Sequence, residues 1–217
     1  MIIIQPSATL EWVTPEAEYI IERAGRTCYK SEDKIGPGTA SHLICNLIQK
    51  GHESVLEHAS ASFRLVTDRG VSHELVRHRI ASFSQESTRY CDYGKDGDIS
   101  VIEPPELSQC LDPSVHGCIR EDLTCCPWHE WSGATSHACD AYLRMRDKGV
   151  SPQIARSVLP TCLKTELVMT ANFREWRLIF GLRLSPRAHP QMRQLMKLVA
   201  SKLVELHPCI FQDVIPI

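Results

Sequence analysis

The 217-residue chain has no apolar run near the ~20 residues that a membrane-spanning helix needs. Its start, Met1-Ile2-Ile3-Ile4-Gln5-Pro6, has neither a basic leader nor a long apolar core, so it reads as an edge strand rather than a secretory signal. There is no internal repeat, low-complexity tract or long linker, and no Gly-x-Gly-x-x-Gly, which argues against a Rossmann fold. Charge of one sign is also missing. Lys+Arg number 24 against 26 Asp+Glu, a net charge of −2, and aromatics at 6% do not interleave with a basic stripe, so no nucleic-acid partner is expected. These absences lead us to expect a soluble, cytoplasmic protein of one domain over residues 1–217.

Cysteine is abundant, with ten along the chain, but none is arranged as Cys-x-x-Cys and no two pairs have zinc-ribbon spacing. Reduced thiols, many serving as small core residues, are expected, and no metal. Lysine is scarce. Of the 24 basic residues 16 are Arg, whose rigid fork holds phosphate and planar acceptors in a way Lys cannot copy.

The apolar periodicity predicts helices from Thr14-Pro15-Glu16 to about Tyr29, from Ala40 to Lys50 with a stop at Gly51, and from Val71 to His78. Further helices are predicted from Trp128 to Lys148 with a stop at Gly149, over a short stretch after Ser151-Pro152, from Phe173 to Leu182, and from Arg187 to Leu206. Strands are predicted around Ala59–Leu65, Ile99–Ile102 and Glu166–Thr170. Residues 92–127, rich in Gly, Pro, Cys and acids, read as a loop or insertion. The fold class expected is α+β, helices packed around a small, mainly antiparallel sheet.

The densest chemistry lies in Arg77-His78-Arg79-Ile80-Ala81-Ser82-Phe83-Ser84-Gln85-Glu86-Ser87-Thr88-Arg89-Tyr90. Arginine forks, short hydroxyls and backbone N–H groups beyond a helix end are phosphate ligands. The same composition also suits a polar surface loop pinned by ion pairs.

The spacing Arg77-His78-Arg79-x-x-Ser82-x-x-x-x-Ser87-x-Arg89 resembles the signature of flavin-dependent thymidylate synthases. The similarity continues at Gly51-His52-Glu53-Ser54-x-x-Glu57-His58, at Ile154-Ala155-Arg156-x-x-Leu159-Pro160, at Asn172-x-Arg174 and at Gly181-Leu182-Arg183, in the family's order. The resemblance implies methylation of dUMP to dTMP with methylenetetrahydrofolate as carbon donor, FAD as hydride carrier and NADPH as its reductant. It also implies a homotetramer with sites between subunits. For FAD it implies contacts from His52, Ser54, Arg77, His78, Arg79, Gln85, Asn172, Phe173, Arg174 and Leu178. For the nucleotide it implies Glu74, Leu75, Val76, Arg77, Gln85, Glu86, Ser87, Thr88, Arg89, Arg156 and Arg183. Arg183 matches the position that activates uracil, where a guanidinium stabilises charge growing on N3 and O4.

Glu74 stands where many relatives carry Gln, and a carboxylate there can accept a bond from a ribose hydroxyl. That raises UMP as an alternative substrate, as in relatives from nucleoside-antibiotic pathways. A non-catalytic nucleotide-binding relative is the third reading. Leu178 replaces a polar contact of some relatives, and Ser185-Pro186 lengthens the turn after Arg183. Leu159-Pro160-Thr161-Cys162 resembles the nucleophile loop of the unrelated folate-only thymidylate synthases, but lying inside the Arg156 block, Cys162 reads as a packing residue.

Overall fold

The structure is a computed structural model that describes residues 1–95, 97–108 and 126–215. Strand β1 (Ile2–Ile4) is followed by β2 (Ser7–Val13), α1 (Ala17–Thr27), α2 (Thr39–Gln49), β3 (Ser60–Asp68) and α3 (Arg69–Leu75). Next come β4 (Ala81–Gln85), β5 (Ser100–Ile102), α4 (Pro105–Ser108), α5 (Pro127–Asp147), α6 (Pro152–Ala155) and β6 (Lys164–Asn172). Helices α7 (Phe173–Arg183), α8 (Pro190–Leu206) and α9 (Pro208–Phe211) close the chain.

Strands β2-β3-β6-β4 form one sheet in that order, and β1 pairs with β5 in parallel, Ile2 beside Ser100 and Ile4 beside Ile102. Within the larger sheet, Thr14 bonds Ser60 while Glu11 meets Arg64, so β2 and β3 run antiparallel. Thr170 bonds Ser62 and Phe173 bonds Ala59, which makes β3 and β6 antiparallel as well. Buried and half-buried residues alternate strictly along β6, the period of a strand with two unlike faces. The α+β class with a small, mainly antiparallel sheet is therefore as expected.

The chain packs into two compact units. The first comprises residues 1–6, 66–75 and 85–167. Its core is Ile99, Val101, Cys139, Tyr142, Ala155, Cys162 and Leu163. The second comprises residues 7–65, 76–84 and 168–217. There α7 buries Trp176 completely, edge-on to Phe63 at 5.5 Å and stacked on Phe180 at 5.8 Å. Its indole Nε1 donates to the Ala61 carbonyl at 3.1 Å. Truncating a ring buried in this way costs about 3–5 kcal/mol.

Glycine ends two helices as predicted. Gly51 at φ 73° lets its own N–H reach the Ile48 carbonyl and the His52 N–H reach Leu47 at 2.8 Å. Gly149 at φ 81° repeats this arrangement on Arg146 and Met145. A side chain with a Cβ would be strained at either φ.

Several expectations need correction. Thr14 does not cap α1; its hydroxyl and the Ser60 backbone bond each other and tie β2 to β3. Helix α3 stops at Leu75, not His78, and the polar stretch from Ser82 enters β4 as far as Gln85. Of the proposed loop at 92–127, residues 96 and 109–125 lie outside the described residues, with Cys110, Cys118, Cys125 and His116. What is described there includes β5 and the single turn α4. Among the described residues no disulfide joins two cysteines, no cluster of His, Cys, Asp and Glu is assembled for a metal, and no helix is long and apolar enough to cross a membrane.

Candidate active site

In the second unit, the stop at Gly51 turns the chain so that His52 and Ser54 are exposed at the start of the 3-10 stretch Glu53–His58. The Arg77-His78-Arg79 triplet occupies the turn after α3, closed by the Ala81 N–H on the His78 carbonyl at 3.2 Å. The turn splits the triplet. Arg77 and Arg79 point outward, while His78 is buried at 7% exposure.

Helix α7 begins with Asn172 as a side-chain cap, its Oδ1 accepting from the Glu175 N–H at 2.8 Å. Arg174 on the first turn is exposed and paired with Glu57 at 2.6 Å. A cleft of about 640 Å³ runs along this helix, with Ile80, Leu178 and Leu182 as its apolar wall and Asn172, Arg174 and Glu175 as its polar side. Gly181 lines it with open space where a Cβ would stand. Arg177, almost fully buried, ties the floor to the C-terminal turn through a two-point pair with Asp213 at 2.6 and 2.7 Å. That bond pattern pulls the Asp213 carboxyl below its usual range.

His78 and Arg183 meet directly. Arg183 Nε donates to His78 Nε2 at 3.0 Å. An arginine Nε–H can only donate, so Nε2 must carry the lone pair and the neutral ring its proton on Nδ1. Nδ1 lies 3.5 Å from Glu175 Oε1, and both residues are nearly inaccessible. Burial first, and the Arg183 charge second, push the His78 pKa below its ordinary value. Burial pushes the Glu175 carboxyl up.

The first unit holds the other group of candidates. The Gln85 amide donates to Ser72 Oγ at 2.9 Å and to Thr165 Oγ1 at 3.0 Å. Glu86 accepts from Tyr93 at 2.8 Å, from Lys164 at 3.0 Å and from the Glu166 N–H at 3.2 Å. Burial and that carboxylate raise the Tyr93 phenol pKa far above its ordinary value. Ser87 starts a turn: its carbonyl accepts from the Tyr90 and Cys91 N–H groups and its hydroxyl from the Arg89 N–H. Thr88 is buried and accepts from Arg156 Nη1 at 3.1 Å, while the Arg156 and Arg89 side chains are exposed.

Not every predicted contact has a side chain in reach of a ligand. Phe173 is fully buried against Phe211 and His207, so its ring packs the core. Leu75 is likewise inaccessible, whereas Val76 is 41% exposed and Glu74 half-buried. Glu86 spends its carboxylate on three internal donors, and buried His78 has Arg183 on one ring nitrogen and Glu175 3.5 Å from the other. Sequence reasoning missed Glu175, Tyr93, Lys164 and Thr165. Only Glu175 had a local signal, as the acid of an Asn-x-x-Glu helix start, and that pattern points to a cap.

Comparison with known proteins adds the family. Residues 9–209 match the family model described as Thymidylate synthase complementing protein. The flavin-dependent thymidylate synthase of Mycobacteroides abscessus is 36% identical over 212 residues, covering 89% of this chain and 78% of the relative. That of Geobacter sulfurreducens is 33% identical over 216 residues, covering 94% and 84%. The solved structure of a UMP/dUMP methylase, PolB from Streptomyces cacaoi, bound with 5-Br dUMP, superposes with a TM-score of 0.80 at 23% identity, covering 98% of this chain and 96% of that one. At that identity the likeness speaks for the fold. The matched length and the identity to curated relatives together establish that this chain belongs to the flavin-dependent thymidylate synthases.

Proposed function

We propose that the protein methylates uracil C5 of dUMP in a flavin-dependent reaction, with Arg183 as the catalytic residue. The observation that carries this assignment is Arg183 held by a buried neutral imidazole in the unit that contains the cleft. A guanidinium fixed before the reaction costs no reorganisation when charge grows on N3 and O4 of the pyrimidine.

The cleft fits FAD by the chemistry of its lining. Ile80, Leu178 and Leu182 offer an apolar wall to a flat ring, and Gly181 leaves backbone accessible where a side chain would intrude. Arg174 is a phosphate donor whose present partner, Glu57, is also exposed; such a surface pair contributes little and can exchange. Asn172, Arg174 and Leu178 are assigned to the flavin from the cleft itself, and His52, Ser54, Arg77 and Arg79 as exposed side chains of the same unit. Held by these residues, the flavin would supply the hydride that the methylation needs. In the first unit, Ser87, Arg89 and Arg156 are assigned to the nucleotide, the two guanidinium groups to its phosphate. Glu86 and Gln85 hold the segment in shape. Methylenetetrahydrofolate as carbon donor, NADPH as reductant, a homotetramer and a cytoplasmic setting complete the proposal and rest on the family alone.

Arg183→Ala tests it. Flavin absorbance of the purified variant is expected to match wild type, while kcat falls roughly 10²- to 10³-fold, the loss typical of one transition-state donor. Unchanged turnover would remove Arg183 from the mechanism.

A further inference from the structure

We infer that Glu175 is a positioning residue that acts on Arg183 through His78, so that buried Glu175 and His78 hold the half-buried Arg183 at the end of α7. The inference rests on the reading of Arg183 as catalytic.

Glu175 and Arg183 are eight residues apart on α7, a separation of about 12 Å along the helix axis. The His78 ring spans the gap, taking Arg183 Nε–H on one nitrogen at 3.0 Å and facing Glu175 with the other at 3.5 Å. Glu175 is 5% and His78 7% exposed, and Trp176, Ile179 and Phe180, which follow Glu175 on α7, are fully buried. Burying a carboxylate costs stability, and an apolar residue of that size would pack more favourably. A helix start would also use an acid at this position to bond back to its cap. Here the Glu175 N–H meets Asn172, but the carboxylate is turned away to the imidazole.

The arrangement has a chemical consequence. An ionised carboxylate only accepts, so it favours the Nδ1–H form of His78 and leaves Nε2 as the acceptor that aims Arg183. In that ionised form its charge also makes the imidazole a stronger acceptor for the guanidinium. An amide at position 175 can donate as well as accept. It therefore admits the opposite tautomer, which sets Nε2–H against the Arg183 N–H. A carboxylate that orients a catalytic base by fixing its tautomer works on the same logic. In this protein the oriented group is a cation.

Two readouts test the inference in the full-length holoenzyme. With ¹⁵N-histidine labelling, the His78 resonances, assigned by their loss in His78→Gln, are expected to report the Nδ1–H tautomer in wild type and a mixture in Glu175→Gln. In parallel, kcat of Glu175→Gln is expected to fall roughly 10- to 100-fold, the range seen when a partner that orients a histidine is lost. Because Glu175 also lines the cleft, kcat is measured at saturating FAD, and KM for the nucleotide is expected to stay near wild type. Unchanged kcat in Glu175→Gln, or loss of flavin in proportion to activity, would overturn the inference. If that variant does not fold, the wild-type spectrum still decides: an Nε2–H or doubly protonated His78 at neutral pH overturns it. The tautomer is read without turnover. Should wild type fail to methylate while His78 keeps the Nδ1–H form, the reading of Arg183 fails and the tautomer assignment stands.

Discussion

Cys162 is the residue most easily mistaken for a nucleophile. It is 9% exposed in the core of the first unit, with its sulfur 3.7 Å from the Thr135 hydroxyl. Burial pushes its thiol pKa up, the opposite of what a reactive cysteine needs. Cys162→Ala is therefore expected to keep wild-type kcat while losing about 1 kcal/mol of stability, the scale of one buried heavy atom. A folded, flavin-bound variant without turnover would contradict this. At the same scale, the motif residues were legible as types, because spacing alone marks out Arg77, His78, Arg79, Ser87 and Arg89. Their directions were not legible. Nothing in Arg-His-Arg says that the middle side chain turns inward, since a turn has no period from which facing can be read. Glu86 and Phe173 fall in the same class: they stand in the matched blocks, and their side chains serve the protein's interior.

Between elements, Asp92 ties the segment after β4 to α5. Its carboxylate receives Arg146 Nε at 2.9 Å and Nη2 at 2.6 Å, and Tyr142 adds a weaker bond at 3.4 Å. The Arg146 hydrogen bonds lead in holding the carboxyl at about 2, against 3.8 in a free chain. The sign follows from that depression. The folded state binds the proton less readily than the unfolded one, so the contribution is present above 3.8 and is lost as pH falls to about 2. Asp92→Asn is expected to lower Tm by several degrees at neutral pH, with the gap to wild type narrowing as acid is added. A gap that is constant with pH would exclude the ionised carboxylate as its cause. The helix ends at Gly51 and Gly149 could be read from sequence because only glycine takes positive φ there without strain. Strand β2 could not, since Ser7–Val13 has exposed and half-buried residues but none fully buried. Nor could β4: five residues with three hydroxyl or amide side chains carry the composition of a loop, and the neighbouring strand makes them a strand.

At the scale of the molecule, the two compact units divide the assigned chemistry. One contains the cleft, the outward arginines and the His78–Arg183 contact; the other contains the turn at Ser87 and the Arg156–Thr88 contact. Each unit is assembled from stretches far apart in the chain, so the order of the sequence does not display them. The α+β class was legible, resting on periodicities that survive at every scale. The measurement that bears most directly on the account is a paired turnover assay. Purified protein with FAD, NADPH and methylenetetrahydrofolate is given dUMP or UMP, and the 5-methyl product is followed together with flavin absorbance. The expected result is bound flavin and product from dUMP; product from UMP as well would point to Glu74 as the residue that admits the 2′-hydroxyl. Bound flavin with no methylated product from either nucleotide would contradict the account.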